Sequence, residues 1–128
     1  MEEKVKKGLF YTKDHEWVDV ENGTGKIGIS QYAAEELGDI AYIELPKLGS
    51  VTQHGKLCEI ESVKAVSDIF SPVSGEITAV NNELTDSPER INEDPYGSWI
   101  CTITLADKEE LKTLMTAETY SQFLTSLN

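Results

Sequence analysis

Residues 60–77, "IESVKAVSDIFSPVSGEI", place one lysine, Lys64, inside a run of strand-forming residues. Before it, the apolar residues Cys58 and Ile60 alternate with acids, as in a strand with one buried face. The alternation resumes over residues 65–70, and "SPVSG" then supplies turn residues. If the two runs pair, the chain reverses next to Lys64. The pattern therefore predicts a hairpin over about residues 56–70 with an exposed amine at its tip.

Two interpretations of Lys64 stay open from its position alone. A lysine at a turn is usually an edge charge that prevents strands from associating. However, its neighbours Val63 and Ala65 are small or apolar, unlike the Asn-Gly pair of common tight turns, and Glu61 and Asp68 lie where an enzyme could recognise them. An exposed lysine amine is protonated at neutral pH and is a poor nucleophile. We therefore expect either a surface charge or a tether that a dedicated enzyme acylates.

The composition is typical of one folded domain over residues 1–128, with 39% hydrophobic and 27% charged residues. Eleven basic and 23 acidic residues give a net charge of −12, which disfavours nucleic acid and anionic membranes and favours proteins with basic rims. No stretch approaches the roughly 20 apolar residues that span a bilayer, and no Arg/Ser-rich leader is present. We expect a monomer, either bacterial and cytoplasmic or, if processed, from the mitochondrial matrix.

The cysteines and histidines do not form a recognisable site. Cys58 and Cys101 lie far apart in apolar segments, so we expect two buried, reduced thiols. His15 and His54 lack partners at metal-ligand spacing. No Ser, His and Asp set indicates nucleophilic catalysis either. The sequence therefore predicts neither a metal site nor a catalytic residue.

Gly, Pro and Asn separate many short apolar segments, and this pattern predicts a mainly antiparallel β fold. Ser30 and Gly38 are typical of the beginning and the end of a helix over residues 31–37. The predicted strands cover residues 9–11, 17–20, 26–29, 40–45, 56–63, 65–70, 76–80 and 99–105.

The C-terminal region, about residues 107–127, predicts helices that cover the sheet. Asp107 followed by Glu110 resembles a capping box, and Thr116 can cap a further helix. Each helix would place an apolar stripe on one face. The first stripe comprises Leu111, Leu114 and Met115, and the second comprises Tyr120, Phe123, Leu124 and Leu127.

The sequence also contains a faint internal repeat. "GDIAYIEL" at Gly38 and "GEITAV" at Gly75 both begin with Gly, an acid and Ile, and each is followed later by a Cys-x-Ile strand. Two copies of one β unit could pack about a pseudo-twofold axis, although chance similarity among strands is the alternative. Lys64 lies in the link between the two copies.

The segment around Lys64 closely resembles the lipoyl-attachment segment of the glycine cleavage H-protein family. Val63 and Ala65 with a preceding Glu-Ser fit this family, because biotin carriers typically place Met on both sides of the lysine and lipoyl domains of 2-oxoacid dehydrogenases usually have Asp before it. The likeness extends over nearly the whole chain. It includes "DHEWV" (14–18), "IGISQYAAEELGDIAYIELP" (27–46), "VN" (80–81), "INEDPYG" (91–97) and "LMTAETYSQFL" (114–124).

The resemblance implies a flattened antiparallel β sandwich or barrel of the biotinyl/lipoyl carrier type, with lipoate in amide linkage to Lys64. In the family the dithiolane accepts an aminomethyl group at a pyridoxal-phosphate-dependent glycine decarboxylase. The arm then visits a tetrahydrofolate-dependent aminomethyltransferase and a dihydrolipoamide dehydrogenase. A lipoate ligase or octanoyltransferase loads the lysine. The protein itself would be a non-catalytic carrier.

The resemblance also suggests roles for residues near the arm. By motif position, Glu16 and Asp68 could meet the amine of a loaded arm, with Asp14 and Glu36 nearby; for Glu16, a solvated strand acid is the alternative. The segment "DPYGSWI" is one residue shorter than the usual family form. The residues expected to be recognised by the modifying enzyme are Glu61, Ser62, Val63, Ala65 and Asp68.

Three alternatives accompany this interpretation. The first is an H-like relay that donates lipoyl groups to other enzymes, and its sequence could look almost identical. The second is an unmodified β-rich interaction module in which Lys64 is surface charge. The third is a stand-alone enzyme. The sequence supports this alternative poorly, because it contains no recognisable set of catalytic residues.

Overall fold

Strand-forming segments fold into two antiparallel sheets in the computed structural model, which describes residues 4–127. The described residues form nine strands, four α-helices and one 3-10 helix. The strands are β1 (Phe10–Tyr11), β2 (Glu16–Glu21), β3 (Thr24–Ile29), β4 (Ile40–Glu44), β5 (Gly49–Val51), β6 (Lys56–Ser62), β7 (Val66–Phe70), β8 (Gly75–Val80) and β9 (Cys101–Leu105). The α-helices are α1 (Gln31–Leu37), α2 (Glu83–Asp86), α3 (Arg90–Glu93) and α4 (Ala117–Ser126), and the 3-10 helix covers Lys108–Thr113.

One sheet has six strands in the order β1-β2-β3-β9-β8-β5, and the other has three in the order β4-β6-β7. Neighbouring strands are antiparallel throughout both sheets. The expectation of a flattened antiparallel sandwich is confirmed, and the sheets are not closed into a barrel. The predicted hairpin is the β6–β7 pair, which places residues 63–65 at a reversal of the chain.

The main core consists of apolar side chains from strands of both sheets, as their alternating patterns require. Burial of this aliphatic surface is the main stabilising term for such a fold. Its fully or almost fully buried members include Val18, Ile27, Ile29, Ile43, Ile60, Val73, Ile77, Ile100 and Ile103.

A second, aromatic cluster joins α4 to β1 and β2. The rings of Tyr11 and Tyr120 are stacked with centroids 4.3 Å apart, and Trp17 is buried beside them. Gly28 makes room for Trp17, since a Cβ there would lie 2.4 Å from the indole Cζ2. The helix that covers this side of the molecule is therefore held partly by aromatic contacts.

Both predicted helix starts with a hydroxyl cap are confirmed. The Ser30 side chain accepts a hydrogen bond from the Ala33 backbone N–H, and Thr116 accepts one from the N–H of Thr119. Gly38 ends α1 with φ of 80°, a conformation that glycine adopts without steric cost. Local capping chemistry was sufficient to predict these boundaries.

The segment after Asp107 differs from the prediction. It forms a six-residue 3-10 helix, and the carboxylate of Glu110 accepts hydrogen bonds from Ser74 instead of closing a capping box. Met115 lies outside that helix and bridges to Tyr11. Leu127 was also assigned wrongly, because it follows the last turn of α4 and is exposed.

The two copies of the faint repeat have a structural counterpart. In β4 the pairing with β6 is interrupted by a bulge between Ile40 and Tyr42. In β8 the pairing with β9 is interrupted between Ile77 and Ala79, two residues that occupy the same positions in the second copy. Each copy therefore contributes a bulged strand pair, one to each sheet.

Candidate functional site

The tip of the β6–β7 hairpin is organised by one serine. The Ser62 N–H donates to the Ala65 carbonyl at 2.8 Å, and the Ser62 hydroxyl accepts from the backbone N–H groups of Lys64 at 3.2 Å and Ala65 at 3.1 Å. Neither Val63 nor Lys64 has a positive φ, so the reversal needs no glycine. Ser62, one of the residues expected to be recognised by the modifying enzyme, thus also shapes the turn.

Lys64 is exposed at this tip, as predicted, and its aliphatic stem lies across Gly38 at the end of α1. A Cβ added to Gly38 would be 3.2 Å from Lys64 Cε and 3.7 Å from Cδ. Within residues 4–127, no side chain forms a hydrogen bond or ion pair with the Lys64 amine. The amine is therefore positioned by its stem and remains accessible to solvent.

The loop beneath the lysine is fixed by a residue that the sequence interpretation left without a role. Asn92, in α3, accepts the N–H of Ile40 through Oδ1 at 2.8 Å and donates through Nδ2 to the Gly38 carbonyl at 2.8 Å. The Asp39 carbonyl between them accepts the Val63 N–H at 2.9 Å. Asn92 therefore holds residues 38–40, and these residues in turn hold the hairpin tip through the bond between Asp39 and Val63. It belongs to the quoted segment "INEDPYG", which was the only available signal.

Asp68 and Glu61, the two acids expected to be recognised by the modifying enzyme, differ in their ion-pair partners. Lys56 bonds to Glu59, and its Nζ lies 3.5 Å from Asp68 Oδ1, so the two acids of this cross-strand pair share one cation. Glu61 is exposed, and among the described residues it has no ion-pair partner. Of the two acids proposed for enzyme recognition, Glu61 is thus the uncompensated one.

Glu16 differs most from its expected environment. Its side chain is 1% exposed; Oε1 accepts from the Thr12 hydroxyl at 2.5 Å and Oε2 accepts from the Phe70 N–H at 3.0 Å. Burial raises its pKa to about 7, against the opposing effect of these two bonds. The alternative of a solvated strand acid is therefore wrong. An arm contact stays a prediction, and it would require the arm to reach a buried carboxylate.

Asp14 and Glu36, the other predicted arm-contact acids, are both exposed, and the structure brings them near His15. Burial lowers the pKa of His15, while the negative charges of these two residues oppose that shift. His15 Nδ1 lies 2.8 Å from the Tyr120 hydroxyl, which is also 2.7 Å from Ser30 Oγ. His15 therefore joins the aromatic cluster, and the role of the two acids stays a prediction.

The two cysteines are buried and unpaired, as expected. Burial raises the pKa of the Cys58 thiol, and it raises that of Cys101 to about 12, so both thiols are protonated at neutral pH.

In the part of the chain that the structure describes, no three His, Cys, Asp or Glu side chains form a group that could hold a metal ion. None of the helices of residues 4–127 is long and apolar enough to cross a membrane.

The short segment before β9 forms a closed turn. Asp94 accepts the Gly97 N–H through its carbonyl at 3.2 Å and through Oδ1 at 3.1 Å, and the Ser98 hydroxyl donates to the Arg90 carbonyl at 2.9 Å. Gly97 leaves the space for the Asp94 carboxylate, because a Cβ there would lie 2.1 Å from Oδ2. The segment is therefore well fixed at its present length.

Comparison with known proteins agrees with this arrangement. A family model described as "Glycine cleavage H-protein" matches residues 9–127. The chain belongs to the glycine cleavage H-protein family. It is 60% identical over 129 residues to a probable glycine cleavage system H protein of Pyrococcus abyssi, covering 98% of this chain and 96% of that protein. It is 51% identical over 122 residues to a glycine cleavage system H protein of a Thermoanaerobacter species, covering 94% and 97%.

A solved structure supports the same assignment at the level of the fold. The crystal structure of a glycine cleavage system H protein from Mycobacterium marinum is similar with a TM-score of 0.85 and 34% sequence identity. The match covers 94% of this chain and 99% of the other. The resemblance inferred from the residues around Lys64 is confirmed, and family membership assigns the chain a role in the glycine cleavage system.

Proposed function

We propose that this chain is a non-catalytic shuttle of the glycine cleavage system that bears lipoate in amide linkage to Lys64. It would carry the aminomethyl group from glycine decarboxylase to the aminomethyltransferase and deliver electrons to dihydrolipoamide dehydrogenase. The observation that carries the proposal is the exposed Lys64 amine at the reversal between β6 and β7, on a chain of this family. An amine in mid-strand or in the core could not serve this purpose.

The residues present fit a covalently attached arm. The amine has no competing partner among the described residues, and Gly38 leaves room for the lysine stem. When bound, the lipoyl group supplies the dithiolane on which the group and electron transfer depend. The protein supplies a rigid base, because Ser62, Asp39 and Asn92 fix the backbone from which the arm extends.

Tethering gives the arrangement its physical advantage. A group on a short linker is present at each docked active site at an effective concentration far above that of the free cofactor. The net charge of −12 would steer the carrier toward enzymes with basic rims and accelerate association more than it strengthens the final complex. The chain therefore needs to provide reach and docking, and no catalytic group.

Mass spectrometry of the protein co-expressed with a lipoate ligase tests the attachment site. We expect one lipoyl increment on wild type, none on Lys64→Arg, and an unchanged increment on Lys56→Arg, a matched control in the same hairpin. An increment that persists in Lys64→Arg would refute the proposed site.

An H-like relay that passes lipoyl groups to other enzymes is the second candidate, since its attachment site would be the same. The lipoylated protein is therefore combined with the three other components and labelled glycine. Glycine-dependent release of labelled CO₂ supports the shuttle. Absence of release, with transfer of the lipoyl group to another lipoyl domain in a parallel assay, supports the relay.

A further inference from the structure

Exposed apolar side chains surround the proposed attachment site. Val63 is 74% exposed at the tip, Val66 is 62% exposed at the start of β7, and Tyr42 is 50% exposed in β4. Tyr42 pairs with Glu61, which in turn pairs with Val66, so these three side chains form a row across the three-stranded sheet. We call Tyr42, Glu61, Val63 and Val66 the tip face.

The tip face is produced by an irregularity of β4. Strict alternation would place Tyr42 on the same side as the buried Ile40. The bulge between these residues instead leaves both Ala41 and Tyr42 exposed, while Ile40 and Ile43 are buried. Bulges commonly re-aim a side chain next to a functional site. An aromatic ring is thus directed outward about two strand spacings, roughly 10 Å, from Val66.

The electrostatics of the face favour a basic partner. Glu59 and Asp68, one row further from the tip, share Lys56, whereas Glu61 has no ion-pair partner among the described residues. The center of the tip face therefore carries an uncompensated negative charge between apolar side chains. Combined with the net charge of −12, this arrangement is complementary to an apolar rim that contains an arginine or lysine.

The length of the lysine side chain identifies the class of partner. An unmodified lysine extends its amine only roughly 6 Å from Cα, as standard bond lengths give. An enzyme that acylates Lys64 must bring its active site within that distance, so its surface meets the residues beside the lysine. Enzymes that act on the longer, loaded arm can remain further away. The enzyme that loads the arm therefore meets the residues beside Lys64, and the tip face adjoins these residues on the same sheet.

We propose that Tyr42, Val63 and Val66 form the apolar docking surface for the enzyme that transfers the acyl group to Lys64, with Glu61 meeting a cation at the entrance to its active site. The proposal rests on acylation of Lys64, and it adds Tyr42 and Val66 to the recognition residues expected from the sequence. The face is a surface for binding, and the residues on it take no part in the acyl transfer itself.

The test is the initial rate of lipoylation of the unmodified full chain by a purified lipoate ligase with ATP and lipoate, as a function of carrier concentration. Removing the aromatic contact should raise KM about tenfold in Tyr42→Thr, and Val66→Thr should raise it about threefold, both with little change in kcat. Tyr42→Phe should retain the wild-type KM because it keeps the ring. Leu48→Thr is the matched control, since Leu48 is 65% exposed outside the tip face and its variant should stay within twofold of wild type.

The dependence of KM on salt concentration separates the effect of the apolar contacts from that of the Glu61 charge. The KM of Glu61→Gln should exceed that of wild type at low ionic strength and converge with it at about 0.5 M salt, where exposed charges are screened. The KM increase of Tyr42→Thr should persist there. As a check on the amine itself, acetylation of Lys64 by a small reagent should proceed equally in all variants.

Three results would overturn the docking proposal: values within twofold of wild type for Tyr42→Thr and Val66→Thr, an equal loss in Leu48→Thr, or a parallel loss of acetylation of Lys64. All three leave the proposed function intact provided that wild type is lipoylated. Failure of the wild-type chain to accept lipoate would instead reject the proposed function, and the docking proposal with it.

Discussion

At its tip the β6–β7 hairpin is held by an exposed serine hydroxyl and by the carbonyl of Asp39, whereas at its base it is held by the buried carboxylate of Glu16. Hydrogen bonds at the surface can be replaced by bonds to water at little cost, while a buried partner cannot be removed without leaving a polar group unsatisfied. We therefore expect the base to provide the stability of the hairpin and the tip to provide its shape.

The largest expected effect is at the base. Glu16→Ala leaves the Phe70 N–H and the Thr12 hydroxyl without their partner and creates a small cavity, so the free energy of unfolding should fall by about 3 kcal/mol. Urea denaturation at pH 6 measures it. Glu21→Ala, an exposed acid at the other end of β2, is the control and should change stability by less than about 0.5 kcal/mol. Equal losses in the two variants would contradict the special role of the base.

The pH dependence of stability should reveal the same carboxylate. The pKa of Glu16 is raised from 4.5 to about 7 by burial, so between these values the folded protein holds more protons than the unfolded chain. Its contribution to stability is complete below pH 4.5 and is lost as the pH rises through 7. Glu16→Gln cannot ionise and should reduce the fall in unfolding free energy between pH 5 and pH 8 by about 2 kcal/mol. An unchanged pH profile from urea midpoints would exclude this group as the source.

The support beneath the tip can be tested with two glycines. Gly38 and Gly8 both have positive φ values, 80° and 90°, but only at Gly38 would a Cβ approach the Lys64 stem. Both alanine variants should lose about 1 kcal/mol of stability from backbone strain. Only Gly38→Ala should also alter the rate of Lys64 acylation, measured with the ligase assay. A similar change of rate in Gly8→Ala would show that strain in general, and not the contact with Lys64, is responsible.

The smallest expected effect is at the tip. Ser62→Ala removes the hydroxyl that accepts from Lys64 and Ala65, but water can replace it, so the unfolding free energy should fall by less than about 1 kcal/mol. The turn should become more mobile, and NMR relaxation of the Lys64 amide measures this change. Ser67→Ala, within β7, is the control and should leave the amide unchanged. Loss of the hairpin on Ser62→Ala would reverse the comparison between tip and base.

The sequence was informative where the structure depends on neighbours in the chain. Alternation on both sides of Lys64 predicted the hairpin because its strands pair with each other, and hydroxyl caps at Ser30 and Thr116 predicted the starts of α1 and α4. The general β architecture followed from the spacing of turn residues. These signals lie within a few residues of the features that they predict.

Features that depend on distant contacts could not be predicted in this way. The partner of Glu16 is a backbone N–H 54 residues away, and Asn92 binds Ile40, the first residue of β4, from 52 residues away. The exposure of Tyr42 depends on a bulge, which shifts the alternation although no glycine or proline lies within the bulged segment 40–42. The stripe of Leu111, Leu114 and Met115 was misassigned because a 3-10 turn and an α-helix place apolar residues at similar spacings.

The side-chain amide of Asn92 has a consequence for protein engineering. Because α3 holds the backbone on which Lys64 rests, residues 56–70 alone would lack part of the surface that displays the lysine. A graft of this hairpin onto an unrelated scaffold should be a poor acceptor unless the segment from Gly38 to Ile40 and the asparagine accompany it. The proposed attachment site would then be a discontinuous epitope assembled by the fold, and not a transplantable peptide tag.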